Sequence, residues 1–269
     1  MYLVLFLVAF AGAALNSVAG GGSFLTLPAL IYAGVPPVSA NATSTLAMWP
    51  ASLSSAVAYR REIGRARAWT VRLGAISLLG GLLGGLLLMR TSDHSFLRLL
   101  PWLMVIAAAT FTVGGQITAW TRGRRDGAGG SGAPVADAIR RVDGSTGGVG
   151  SVRVPLWTLP LQLLIAIYGG YFGGGMGIMM LAGMSVAGMT DMHEMNGLKA
   201  VLAIAINGIA LVTFISGGAI AWAPGLVMVV GGISGGYLGA TTARKISGTR
   251  VRLIVIAIAW TMTAYFFLR

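Results

Sequence analysis

Eight apolar stretches, at about 2–34, 42–59, 69–89, 96–120, 155–188, 196–216, 222–243 and 251–268, alternate with polar segments along the chain. Six of them are near the roughly 20 residues that one helical membrane span requires. The first and fifth are far longer, and glycines interrupt each near its middle: Gly20-Gly21-Gly22 in one, Gly173-Gly174-Gly175 in the other. A block too long for one span and broken at its centre predicts two half-helices folded into a re-entrant hairpin, the alternative being one ordinary span with a long loop. The whole pattern predicts an all-α polytopic membrane protein.

The two glycine segments belong to an internal duplication. Asn16-Ser17-Val18-Ala19-Gly20-Gly21-Gly22-Ser23 returns as Gly169-Gly170-Tyr171-Phe172-Gly173-Gly174-Gly175-Met176. An offset of 153 to 155 residues also places Asn41 on Asn196, Ser44 on Lys199, Ser52 on Asn207 and Tyr59 on Phe214. Further on it places Gly81 on Gly236, Gly84 on Gly239 and Arg90 on Lys245. The expected organisation is an N-terminal repeat over 1–120, a basic Gly-rich linker over 121–154 that is flexible and cytoplasmic, and a C-terminal repeat over 155–269. Each repeat would hold one hairpin and three transmembrane helices.

Loop charge sets the relative orientation of the halves. In the first half the basic loop follows the second block (Arg60, Arg61, Arg65, Arg67, Arg72), whereas the equivalent loop 217–221 is uncharged. In the second half it follows the third block (Arg244, Lys245, Arg250, Arg252), and its first-half equivalent is weaker (Arg90, Asp93, Arg98). The basic side thus switches, which predicts inverted repeats with hairpins entering from opposite faces.

Composition agrees with a lipid solvent: 56% of residues are hydrophobic, 10% are charged and the mean hydropathy is +0.81. A soluble chain would carry about a quarter charged residues. The first 16 residues lack a basic n-region, so no cleaved signal peptide is expected. The absence of cysteine excludes disulfides, thiolate metal sites and a cysteine nucleophile. The net charge of +12 follows from basic loops on one face of a membrane and does not call for a nucleic-acid partner. The expected partners are the bilayer and a small anion, with no cofactor and no metal. The paired glycines Gly80-Gly81 and Gly84-Gly85 suit internal helix packing or a homodimer interface equally.

The candidate site lies between the two glycine turns. Glycine turns leave backbone N–H groups accessible, and each following half-helix points its positive N-terminus at the centre. Ser23 is placed as an N-cap. No carboxylate lies deep in a span, and one cation does: Lys199, about two turns into its helix, where an ionisable group is a functional candidate or snorkels to the surface. Asn16, Gly20, Gly21, Gly22, Ser23, Asn41, Ser44, Gly173, Gly174, Gly175, Asn196 and Lys199 form the expected substrate-binding set. Ser17, Thr26, Thr43, Ser52 and Asn207 fit helix–helix hydrogen bonding as well. In Thr190-Asp191-Met192-His193-Glu194, Asp191 and Glu194 match a capping box, His193 lies at the membrane edge, and His94 is expected in a solvated loop. Gly22-Ser23 with a distant His superficially resembles an intramembrane serine protease. Neither His is placed to reach Ser23, so no enzyme activity is expected. The remaining alternatives are an anion channel and a transporter of another small ion.

These motifs, with Leu27-Pro28, Asn41-Ala42-Thr43-Ser44 and Asn196-Gly197-Leu198-Lys199, make the chain similar to the TauE/SafE sulfite exporter family, also called TSUP. The resemblance covers everything except the linker. It implies transport of sulfite, sulfonates or thiosulfate-like anions across a bacterial inner membrane; with the duplicated glycine turns, the expectation is a secondary transporter, an exporter, that works by alternating access with the substrate between the turns. The second copy departs from the pattern, with Met176 where the first has Ser23.

Overall fold

A computed structural model describes residues 1–18, 21–60, 63, 67–128, 155–189, 191–242 and 248–268. Among these residues the chain forms ten α-helices and no strand. The first half holds α1 (Tyr2–Val18), α2 (Ser23–Tyr32), α3 (Pro37–Ala58), α4 (Arg67–Met89) and α5 (Asp93–Ala128). The second half holds α6 (Thr158–Tyr171), α7 (Met176–Val186), α8 (Met192–Ser216), α9 (Trp222–Thr242) and α10 (Gly248–Leu268).

Both long apolar blocks are broken at their glycines. The 10 residues of α2 and 11 of α7 reach only about 15–17 Å at 1.5 Å per residue, half of a ~30 Å hydrocarbon layer. Each packs back on the helix before it, α2 on α1 and α7 on α6. Three described segments, Trp69–Met89, Asp93–Gly114 and Met192–Ser216, are long and apolar enough to cross a membrane. The outer surface carries large apolar side chains throughout, including Leu79, Leu83, Leu87, Trp102, Val212, Leu226 and Val230. Large apolar side chains exposed along several helices fit a lipid surround.

Helix α5 runs on to Ala128, so the first eight residues of the expected linker are helical; residues 129–154 lie outside the described residues, as do Arg61, Arg65, Arg244 and Lys245. His94 is exposed in the first turn of α5 and not in a loop. Asp93 heads that helix and also accepts the Val38 N–H at 2.8 Å, which joins the starts of α3 and α5 at one end of the molecule. At the opposite end the Tyr59 ring lies 6.3 Å from that of His193, joining the end of α3 to the start of α8. We call these the 33–36 end and the Arg60 end.

Packing between the halves is reciprocal. Helix α1 packs on α9 and α6 on α4, while α3 and α8 pack on each other. The glycines make these approaches possible. A Cβ on Gly81 would stand 2.7 Å from the Ile206 carbonyl oxygen, and one on Gly236 would stand 3.1 Å from the Ala51 Cβ. The same 155-residue offset separates Gly81 from Gly236 and Ala51 from Ile206. Gly84 meets Ile167 and Gly170; Gly239 meets Ala14 and Ser17. Gly80, Gly81, Gly84 and Gly85 therefore all face helices of the same chain. Lipid tails supply little hydrophobic drive between helices, so this close backbone packing supplies much of the cohesion.

Candidate functional site

The two glycine turns face one cavity of about 70 Å³, room for several waters or a small ion. Gly21 (φ +93°) forms the first turn, with Gly173 (φ +80°) and Gly175 (φ +79°) in the second. This left-handed backbone favours glycine. Phe111 from α5 stands behind both turns: a Cβ on Gly21 would lie 2.9 Å from its ring, and one on Gly175 would lie 3.5 Å away. The Phe111 ring packs edge-on against Phe24 at 5.8 Å. The Tyr168 hydroxyl lies 2.8 Å from the Gly174 carbonyl oxygen and 3.0 Å from that of Leu103, donating to one at a time. These contacts hold the second turn against α5.

Helix starts frame the site. Gly175 is the N-cap of α7, and the first-turn N–H groups of Met176 and Gly177 have no acceptor within that helix. At α2 the N-cap is Gly22, and Ser23 is the first helical residue, a shift of one position from the expected cap. The cause is backbone geometry: Gly22 accepts from Leu25 and Thr26 at 3.1 and 3.2 Å, which closes the first turn without a side-chain cap. The Ser23 hydroxyl is therefore not used as a cap, and Ser23 lines the cavity.

Seven of the expected site residues line this cavity: Asn16, Gly21, Ser23, Gly173, Gly175, Asn196 and Lys199. Four lie off it. Gly22 packs against Gly12 and Met48, and the Gly174 carbonyl engages Tyr168. Asn41 donates through Nδ2 to the Tyr171 carbonyl at 2.9 Å, and Ser44 shares a 2.6 Å hydrogen bond with Thr26. Gly20 lies outside the described residues. The lining also includes Ser17, Thr45, Met48, Ser52, Tyr59, Met176, Gly177 and Asn207. Ser52, Asn207 and Tyr59 carried a signal in the repeat alignment. Thr45 and Met48 carried none, because their facing depends on how α3 packs on α8.

Lys199 is the cationic residue of the lining. Its aliphatic stem runs past Gly177, whose absent side chain leaves the space: a Cβ there would stand 3.3 Å from the Lys199 Cδ. Among the described residues no carboxylate lines the cavity and none pairs with Lys199. The side chain is half-buried two turns into α8, behind a helix start in which Asp191 caps the His193 and Glu194 N–H groups at 2.7 and 3.2 Å. A cation with no described carboxylate beside it, two glycine turns and a helix N-terminus favour negative charge in this space. Thr190 lies outside the described residues.

A family model described as sulfite exporter TauE/SafE matches residues 5–266. A "Probable membrane transporter protein" of Haemophilus influenzae is 26% identical over 264 residues, covering 97% of this chain and 92% of that protein. The "Probable membrane transporter protein YfcA" of Escherichia coli K12 is 26% identical over 267 residues, covering 97% and 87%. A "Probable membrane transporter protein ORF9" of a Sinorhizobium species is 28% identical over 258 residues, covering 95% and 88%. No solved structure matches. With the match running over nearly its whole length, the chain belongs to the TauE/SafE sulfite exporter family.

Proposed function

We propose that this protein is a secondary transporter that exports a small sulfur-containing oxyanion, such as sulfite or an organosulfonate, across a bacterial inner membrane. One observation carries the reading: both glycine turns and Lys199 line the same small cavity, and no described carboxylate opposes them. The family match and the transporter names of its relatives support the same class. The anion sits between the turns, near Asn16, Ser23, Asn196 and the Lys199 ammonium. The repeats 1–120 and 155–269 are inverted, and they expose the site to one face at a time. The Arg60 end is cytoplasmic, following the basic loops. An inside-negative potential then favours export by about 2.3 kcal/mol per charge per 100 mV.

The test is uptake of labelled sulfite into proteoliposomes, with sulfate, thiosulfate, sulfoacetate and nickel ions as competitors. Saturable uptake that shows counterflow and is blocked by sulfur anions is expected. Flux that never saturates would replace the carrier with a channel. Absence of sulfite flux together with nickel transport would overturn the anion reading.

A further inference from the structure

Four pairs of residues occupy equivalent places in the two halves, and the structure treats the members of three of them unequally. Ser52 and Asn207 both line the cavity. Toward the Arg60 end, Tyr59, Asn196 and Lys199 also line it and are partly exposed. Their counterparts toward the 33–36 end are Phe214, Asn41 and Ser44, which are 0%, 2% and 1% exposed and lie off the cavity. Among the described residues one mouth is partly exposed, the open mouth, and the equivalent one is buried, the sealed mouth.

The seal is made of identifiable bonds. Asn41 reaches from α3 to the Tyr171 carbonyl at the second glycine turn (2.9 Å), and Ser44 ties α3 to Thr26 of α2 (2.6 Å). Thr43 accepts the Ala221 N–H at 3.0 Å and closes the loop before α9. Among the described residues the Asn196 mouth shows no equivalent of the Asn41 and Ser44 bonds. Asn196 donates to Met192 of its own helix at 2.8 Å instead of reaching across to the first turn. In the sealed mouth the pair is Thr26 with Ser44; the same offsets place Met179 and Lys199 in the other. A methionine cannot satisfy an ammonium as Thr26 satisfies the Ser44 hydroxyl. Sealing the open mouth around an empty site would bury an unpaired charge, which is strongly unfavourable; sealing it over a bound anion buries a neutral pair.

We propose, resting on the carrier reading above, that the two mouths are alternative gates and that the Arg60-end gate closes only over an anion held at Lys199. The protein is then an anion exchanger: the empty site does not return, and each export step is coupled to an anion moving the other way.

The experiment compares labelled sulfite uptake into proteoliposomes of the intact protein at zero membrane potential, with or without unlabelled sulfite inside. Exchange is expected to exceed net uptake by at least about tenfold. In Lys199→Ser, which restores the residue of the equivalent gate, the two rates converge. Equal exchange and net rates in the unmodified protein would overturn the proposal while leaving the carrier intact. No sulfite flux in either mode would remove the carrier reading itself. A second measurement reads the gates without any substrate. The chain has no cysteine, so single cysteines report alone. In anion-free protein an impermeant maleimide is expected to modify Asn196→Cys and to spare Ser44→Cys. Equal modification of both would overturn the two-gate assignment.

Discussion

Replacing Lys199 by methionine removes one charge and little else. The Lys199 stem packs beside Gly177, and Met keeps the unbranched apolar length that fills that space. Among the described residues no ion pair is lost, so the fold should tolerate the change. An anion about 4 Å from the ammonium gains roughly 4 kcal/mol at an effective dielectric constant of 20, and only about 1 kcal/mol in bulk water. The cavity is small but open to one face, and Lys199 is half-buried, so a value near 2 kcal/mol is appropriate. That corresponds to a roughly 30-fold weaker half-saturation for sulfite. Lys199→Arg keeps the charge and is expected to stay within about threefold of the parent. The assay is the concentration dependence of sulfite exchange in proteoliposomes, normalised to inserted protein. A Lys199→Met protein with unchanged half-saturation would refute the electrostatic reasoning, because no other cation lines the described cavity.

The packing argument gives a paired prediction: Gly84→Ala places a methyl group against the Ile167 carbonyl oxygen and should cost about 1–3 kcal/mol or more, whereas Gly74→Ala meets nothing within 4 Å and should be neutral or slightly stabilising, both read as thermal denaturation in detergent. Gly21→Ala combines a left-handed φ of +93° with a 2.9 Å approach to Phe111, so transport and stability should fall together; full activity of this variant would show that the turn is not rigid. Asp191→Ala removes the cap of α8 and should lower thermal stability by about 1 kcal/mol with sulfite affinity unchanged.

Periodicity, charge and repetition made much of this molecule legible. A block of more than thirty apolar residues cannot cross a bilayer once, and glycines at its centre say where it breaks; α1 with α2 and α6 with α7 follow from that alone. The register of the halves was legible too, because Gly81 and Gly236 recur at one offset, and they meet Ile206 and Ala51 at that same offset. Lys199 stood out as a cation inside a span. Tertiary structure decided the rest. It showed that Gly80 to Gly85 serve internal packing, since a small-residue face is the same sequence whether its partner is its own chain or a copy. It placed Thr45 and Met48 on the cavity through the packing of α3 against α8, a contact that no local pattern encodes. It also separated Asn41 from Asn196, one donating to a distant carbonyl and the other to its own helix. The sequence makes these two asparagines equivalent. They differ because Asn41 has a carbonyl of the other half within reach whereas Asn196 turns back onto Met192, and only contacts across the molecule set that difference.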